Sequence, residues 1–109
     1  MAQLNVFKTV TAVLTDSTTT LYTAPTGYTS IVLMAQLSNI TSSTKTITFS
    51  HYDDSTTTEL LSDFSIPPND AVAATMGKLV LETGHSVTAS ASENSSVKAV
   101  LSILETSNG

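Results

Sequence analysis

The sequence feature that most constrains the fold is an apolar run that follows a Pro-Thr-Gly turn. Residues 31–35, Ile-Val-Leu-Met-Ala, are the longest purely apolar run of the chain, and the turn triplet occupies residues 25–27. Glycine adopts a positive φ at little cost, so the triplet predicts a tight turn. The β-branched Ile31 and Val32 favour a strand over a buried helix. A strand that is apolar on both sides is typical of a central strand, covered by the fold itself or by a neighbouring subunit.

The composition indicates a β-domain with an uncharged, hydroxyl-rich surface. Serine and threonine make up about a third of the 109 residues, whereas charged residues contribute only 12%. Threonine suits the solvent side of a strand because its branched Cβ fits a pleated surface and its hydroxyl stays hydrated. We therefore predict a single domain over residues 1–109, whose charge-poor surface meets other proteins. Residues 1–8 are expected to form an N-terminal arm and residues 106–109 a flexible tail, both ordered on assembly.

Short segments with a period of two, separated by turn residues, recur along the whole chain. They predict strands at residues 4–14, 19–24, 29–38, 45–52, 57–66, 79–81, 87–91 and 97–103, with residues 71–76 in a short extended segment. About eight strands with short connections predict an all-β fold, a two-layer antiparallel β-sandwich. Because alternation assigns faces and not strand order, a jelly-roll-like and an immunoglobulin-like arrangement both remain open.

The same alternation assigns apolar side chains to an inner or an outer face. In the third and fifth predicted strands, the residues expected to face inward are Ile31, Leu33, Ala35, Leu37, Leu60, Phe64 and Ile66. Seven apolar residues fall on outer positions and are the candidate protein-interface residues: Phe7, Val13, Val32, Met34, Leu61, Val100 and Leu104. For each of these seven, burial in a second inner face and contact with a partner are the two alternatives. Met34→Lys is therefore predicted to damage either folding or assembly.

The charge balance argues against two classes of partner. Four lysines and no arginine stand against nine acidic residues, for a net charge of −5. Nucleic-acid binding requires a basic footprint that neutralises phosphates, and anionic membranes attract basic rather than acidic chains. We therefore expect no nucleic-acid and no membrane partner. Because the chain contains no cysteine, its stability must come from packing and association.

One polar cluster surrounds the hairpin that is predicted at residues 53–55. Its members are His51, Asp53, Asp54, Glu59 and Asp63. Calcium takes several oxygen ligands from a loop, but this one has neither the spacing nor the glycine of an EF-hand, so we interpret it as a solvated hairpin tip. His51 and His85 lack further ligands at zinc-binding spacing. No G-x-S-x-G motif surrounds any serine. We therefore expect no enzymatic activity, no cofactor and no metal.

Three stretches resemble a known group of proteins. They are LYTAPTGYTSIVLMAQLSN at residues 21–39, IPPNDAVAATMGKLVLETGHSVTASAS at residues 66–92 and VKAVLSILE at residues 97–105. Together they resemble small all-β structural proteins of tailed-bacteriophage virions, with the Leu-Val-Leu-Glu-Thr-Gly block at residues 79–84 as the most distinctive part. The resemblance implies a place on the capsid surface, as a decoration protein, or at the tail or neck. It carries over no catalytic residue.

The residues and the resemblance together predict a non-enzymatic virion protein. The leading interpretation is a capsid decoration or cement subunit, made in the host bacterial cytoplasm, that stabilises the shell by contacting the major capsid protein or other virion proteins. Homo-oligomers are expected, because many copies make modest contacts effective. Two alternatives remain open: a tail, neck or fibre-associated subunit of the same fold, and a carbohydrate-binding β-sandwich module. The latter usually needs aromatic side chains, and the chain has no tryptophan and only three tyrosines.

Overall fold

The computed structural model describes residues 5–108, in which nine strands form. The strands are β1 (Asn5–Val13), β2 (Thr19–Thr23), β3 (Tyr28–Asn39), β4 (Lys45–Tyr52), β5 (Thr57–Ile66), β6 (Ala71–Ala73), β7 (Leu79–Leu81), β8 (Ser86–Ala91) and β9 (Val97–Ser107). Except at β6 and β9, these bounds lie within one residue of the predicted ones. The described range contains no helix that is long and apolar enough to cross a membrane.

The nine strands form two antiparallel sheets with a distinctive order. The five-stranded sheet runs β1-β9-β3-β6, with β7 also paired to β3, and the four-stranded sheet runs β2-β8-β4-β5. Apart from the hairpin of β4 and β5, neighbouring strands within each sheet are not consecutive in sequence, because the chain passes repeatedly from one sheet to the other. This order is that of a jelly roll, which consists of two Greek keys. The predicted all-β sandwich is therefore confirmed, and the order selects the jelly roll from the two arrangements left open.

Apolar side chains from the inner faces of both sheets fill the space between them. The large side chains that are fully buried are Leu14, Val32, Leu37, Ile47, Phe49, Ile66, Leu81, Val87, Val97, Leu101 and Ile103. Fully burying one such side chain is worth about 1.5–3 kcal/mol relative to leaving it exposed. This core explains why the inner side of the strands is apolar. It places no such requirement on the residues of the outer sides.

A β-bulge in β3 interrupts the alternation of the long apolar strand. Val32 pairs with Ile103 and Met34 pairs with Ser102. Between these two pairs β9 advances by one residue and β3 by two, so β3 contains one extra residue. The extra residue at this point is Leu33. Because side chains alternate with a period of two, one inserted residue moves every side chain on one side of it to the opposite face.

The bulge overturns the predicted faces in the first half of β3. Val32, predicted to face outward, is fully buried in the core. Ile31, predicted to face inward, lies on the outer side, and Leu33 occupies the bulge and is half-buried. Beyond the bulge the prediction is confirmed, since Met34 is exposed and Ala35 is buried.

Strand β5 deviates from regular pairing in a similar way. Ile47 pairs with Phe64 and Phe49 with Leu61, so β5 holds an extra residue between these pairs, next to Asp63 with its positive φ of 46°. A second irregularity follows directly after Phe49. Both irregularities lie on an edge strand, where bulges commonly occur and hinder pairing with another chain.

These irregularities also change the faces predicted for β5. Leu61, predicted to face outward, lies opposite the inward-facing Phe49 and packs against the core. Leu60, predicted to face inward, is exposed. Phe64 lies opposite a core residue, but it remains 42% exposed because β5 is the last strand of its sheet. Ile66 is buried as predicted.

Both ends of the described chain belong to the five-stranded sheet. Residues 5–8, assigned above to an arm, form the first part of β1 and pair with β9, with Asn5 opposite Thr106. The backbone N–H of Asn108 donates to the carbonyl oxygen of Gly27 at 2.9 Å, which attaches this part of the predicted tail to the turn before β3. The remainder of the predicted arm and tail lies outside the described residues.

Candidate interaction surface

A continuous row of apolar side chains crosses the outer face of the five-stranded sheet. The register places Phe7 opposite Leu104, Leu104 opposite Ile31, and Ile31 opposite Val80. Phe7 is 74% exposed and Val80 is 54% exposed, whereas the two residues between them are half-buried. Directly opposite residues in antiparallel strands have Cβ atoms about 4.5–5.5 Å apart. These four side chains, called the Phe7 row below, therefore form one contiguous stripe.

Three more apolar side chains lie on the same outer face, nearer the other end of the strands. They are Val13, Met34 and Val100, of which Val13 is 52% exposed. Val13 and Val100 border a shallow depression of about 550 Å³, together with Thr11, Ser38 and Lys98. The seven residues of this surface, called the apolar face below, are Phe7, Val13, Ile31, Met34, Val80, Val100 and Leu104.

The apolar face carries almost no charge. At the outward positions of the described strands of this sheet, the one charged residue is Lys98. The polar residues at the remaining outward positions are neutral: Asn5, Thr9, Thr11, Thr29, Gln36, Ser38, Ser102 and Thr106. Contiguous exposed apolar surfaces of several hundred Å² are uncommon on soluble monomers and usually mark a contact site.

The structure gathers five of the seven predicted contact residues on this face. These five are Phe7, Val13, Met34, Val100 and Leu104. The other two, Val32 and Leu61, contribute to the core instead. The face also contains Ile31 and Val80, which the sequence reasoning missed. A signal for Val80 was available, because the middle residue of an apolar three-residue strand must point away from its two neighbours.

The outer face of the four-stranded sheet is rich in hydroxyl groups. Thr20, Thr88, Ser50 and Glu59 lie side by side across its four strands. They line an open groove of about 460 Å³ together with Tyr52 and further threonines. This face is called the hydroxyl face below. Thr20 and Glu59 are exposed, whereas Ser50 and Thr88 between them are only 5% and 8% exposed.

A buried polar network lies between the sheets, near the Phe7 row. Glu105 is only 4% exposed. It accepts a hydrogen bond from the Tyr22 hydroxyl and forms an ion pair with Lys8 Nζ at 3.3 Å. The Tyr22 oxygen also lies 2.7 Å from Ser30 Oγ. Burial, together with the hydrogen bond to Glu105, raises the pKa of Tyr22 above its ordinary value of 10.0. The network connects β1, β2, β3 and β9.

The Asp53 carboxylate stabilises the hairpin turn between β4 and β5. Asp53 Oδ1 accepts hydrogen bonds from the backbone N–H groups of Thr56 at 2.7 Å and Ser55 at 3.1 Å. These hydrogen bonds, that from Thr56 foremost, lower the pKa of Asp53 below its ordinary value. Within residues 5–108, no three His, Cys, Asp or Glu side chains are grouped as a metal site requires.

The two histidines meet, although they are 34 positions apart in sequence. The rings of His51, on β4, and His85, in the turn before β8, pack edge to face with centroids 5.1 Å apart. Both are partly buried. Two imidazoles supply fewer ligands than a zinc site needs, so this contact is a packing interaction at one end of the sandwich.

Comparison with known proteins relates the chain to others by structure. No protein-family model and no curated protein matches it. It is similar to a chain in the acid-stable capsid structure of Helicobacter pylori bacteriophage KHP30, with TM-score 0.61 and 14% identity over 100% of this chain and 92% of that chain. It is also similar to a chain of the disulfide-linked pili that form Bacillus endospore appendages, with TM-score 0.58 and 7% identity over 97% and 88%. A weaker likeness, with TM-score 0.44 and 19% identity, relates 90% of this chain to 60% of a pentameric capsid protein from metagenomic phage sequences.

The first two likenesses show which fold this chain has. Each covers nearly the full length of both partners, and at 14% and 7% identity they describe a shared architecture. The resemblance to small all-β proteins of phage virions is thereby confirmed at the level of the fold. The neighbours also show that one architecture occurs in a closed shell and in a filament.

Proposed function

We propose that this chain is a non-enzymatic structural subunit of a bacteriophage virion, namely a capsid decoration or cement protein. The observation that carries the proposal is the apolar face, which is exposed on the isolated chain and nearly free of charge. The fold shared with a chain of the KHP30 capsid structure supports a place in a shell. The proposed location is the virion, after synthesis in the host bacterial cytoplasm.

The apolar face supplies a driving force for assembly. Burying apolar surface is worth about 25 cal/mol per Å², and the exposed apolar side chains of this face present such surface with Lys98 as the one charge at the outward positions of the described strands. A protein surface of matching shape, on the major capsid protein, on another virion protein or on a second copy of this chain, would cover it. Repetition over a shell adds avidity, so that modest contacts suffice at each position.

A capsid-binding experiment tests the proposal. Purified expanded capsids should bind the protein at a defined stoichiometry on the order of hundreds of copies per particle, as expected of a shell-wide contact. If the protein binds the assembled shell and not the dissociated subunits, it should raise the melting temperature of the capsid through mass action. Met34→Lys should abolish both effects, because it places a charge in the covered face. Thr20→Lys makes the same charge change on the hydroxyl face and serves as the matched control.

Two results would overturn the proposal. A folded Met34→Lys variant that binds capsids at the wild-type stoichiometry would remove the apolar face from the contact. Wild-type protein that leaves the melting temperature of capsids unchanged at saturating concentration would remove the cement role. Circular dichroism of both variants separates lost binding from lost folding.

A second candidate function is a subunit of the tail, neck or a fibre. The observation that favours it is the likeness to a chain of the Bacillus endospore pili, since that fold assembles there into a filament. Because this chain contains no cysteine, such a filament would be held by non-covalent contacts rather than by disulfides. Labelled protein that decorates purified tails and ignores capsids would establish this function instead of the first.

Carbohydrate binding finds less support. The groove on the hydroxyl face contains a single aromatic side chain, Tyr52, whereas sugar rings are usually held by several aromatic platforms. Saturable binding of a glycan by the isolated protein, lost in Tyr52→Ala, would contradict both assembly functions.

A further inference from the structure

The geometry points to a second copy of this chain as the protein that covers the apolar face, in a two-fold dimer whose axis runs parallel to the strands, between β9 and β3. This inference rests on the assembly role proposed for the face and names the partner at that same site. Two five-stranded sheets stack in this dimer. Phe7 of each copy contacts Val80 of the other, and Leu104 contacts Ile31.

The outer face has about the area that a stable dimer needs. It is four strands wide, and its edge strand β1 contains nine residues. At about 4.8 Å between strands and about 3.3 Å per residue, the sheet offers about 600 Å² of projected area. A standard interface buries about 800 Å² of accessible surface per partner. Because side chains protrude from a sheet, the accessible area of its face is larger than the projected area. The whole face, rather than the Phe7 row alone, is therefore needed.

The Phe7 row is complementary to itself when it is reversed. A two-fold axis along the strands stacks every row of the sheet on the same row in the opposite order. The most exposed side chain, Phe7, then meets the smaller Val80, and the two half-buried members meet in the middle. The pairing of large with small keeps the spacing even, as the roughly 10 Å separation of packed sheets requires. An axis across the strands would instead stack Phe7 on Phe7 and offset the remaining rows.

The charge distribution favours this face for contact between two copies. Two chains with a net charge of −5 repel each other over most of their surfaces. The outward strand positions of the apolar face carry no acidic residue within residues 5–108, and Lys98 would face Ser38 of the second copy rather than another lysine. With one charge per face, the surface also offers little by which to select a partner of opposite charge.

Sedimentation of the free protein tests the dimer without any capsid. A dissociation constant of about 1 µM or tighter is expected for an interface of standard size. Val80→Lys should weaken the dimer about 100-fold or more, because each interface then buries two unpaired charges. Thr20→Lys, with the same charge change on the hydroxyl face, should leave the constant unchanged. A wild-type chain that stays monomeric, or a Val80→Lys chain that dimerises like the wild type, would overturn the inference.

Cross-linking tests the direction of the two-fold axis. The chain contains no cysteine, so Phe7→Cys and Val80→Cys variants each carry one reactive thiol. A short bis-maleimide should join the two variants when they are mixed and should leave each variant alone unlinked. Within one chain these positions lie three strand spacings apart, about 14 Å. Efficient linking of Phe7→Cys to itself would overturn the proposed axis.

The outcomes separate this inference from the proposed function. A monomeric protein that still binds and stabilises capsids would overturn the dimer and leave the cement role intact. A dimer that binds neither capsids nor tails would overturn the virion role and leave the dimer intact.

Discussion

The outer faces of the two sheets differ in composition, although both sheets contribute to the same core. On the five-stranded sheet, Phe7 and Val80 are among the most exposed apolar residues of the described chain. On the outer face of the four-stranded sheet, the exposed positions hold polar residues such as Thr20 and Glu59, and the nearly buried Ser50 and Thr88 lie between them. The need for a core explains the inner side of each strand, but it makes no demand on the outer side. The core therefore does not explain why one outer face is apolar and the other is polar.

The largest expected effect separates the two sides of a single strand. Leu101 is fully buried on the inner side of β9, and Leu104 lies on its outer side. Leu101→Ala should lower the free energy of unfolding by about 3 kcal/mol, through lost burial and a residual cavity. Leu104→Ala should lower it by less than about 1 kcal/mol while weakening assembly. Urea denaturation of both variants gives the comparison, and equal losses would place Leu104 in the core.

The buried network should contribute the next largest effect, because Glu105 links Tyr22 of the four-stranded sheet to Lys8 of β1. Glu105→Gln should lower the free energy of unfolding by about 2 kcal/mol, since charge-assisted hydrogen bonds are lost in a buried site. The exposed Glu82→Gln is the matched control for the loss of one negative charge. Equal stability of the two variants in urea would contradict this role.

Tyr22 adds a smaller effect that depends on pH. At neutral pH, Tyr22→Phe should cost about 1 kcal/mol for the lost hydrogen bonds. The folded-state pKa of Tyr22 lies above its ordinary value of 10.0, so the folded chain keeps a proton that the unfolded chain releases. The stabilisation is complete below pH 10 and is lost as the pH rises further. Urea denaturation at pH 7 and pH 11 should therefore show the gap between wild type and variant narrowing, and a constant gap would contradict the prediction.

The smallest effects come from exchanging a methyl and a hydroxyl group between the two outer faces. Val100→Thr on the apolar face and Thr20→Val on the hydroxyl face should each change the free energy of unfolding by no more than about 0.5 kcal/mol. Assembly should distinguish them, because only Val100→Thr adds a hydroxyl that must lose its water in the contact. Sedimentation and capsid binding measure this difference, and equal effects of both variants on assembly would remove the distinction between the faces.

Much of the fold could be predicted because strand formation leaves a local signal. The predicted bounds of β4 and β5 coincide with those observed, and a period of two identified the buried Ile47 and Phe49. The predicted inner and outer faces were wrong where a strand departs from that period. Val32 and Leu61 were misassigned because a bulge is defined by the number of residues that oppose a partner strand, and the sequence of one strand does not contain that number.

The sequence alone determined the all-β class, the strands and turns, the low charge and five members of the apolar face, because each depends on residue type and local spacing. The tertiary structure decided the jelly-roll order, the inward turn of Val32, the addition of Ile31 and Val80 to the face, and the burial of Glu105 beside Tyr22. These features depend on contacts between strands that are distant in the chain. Their register is set by the packing of the whole sandwich, so no local pattern carries it.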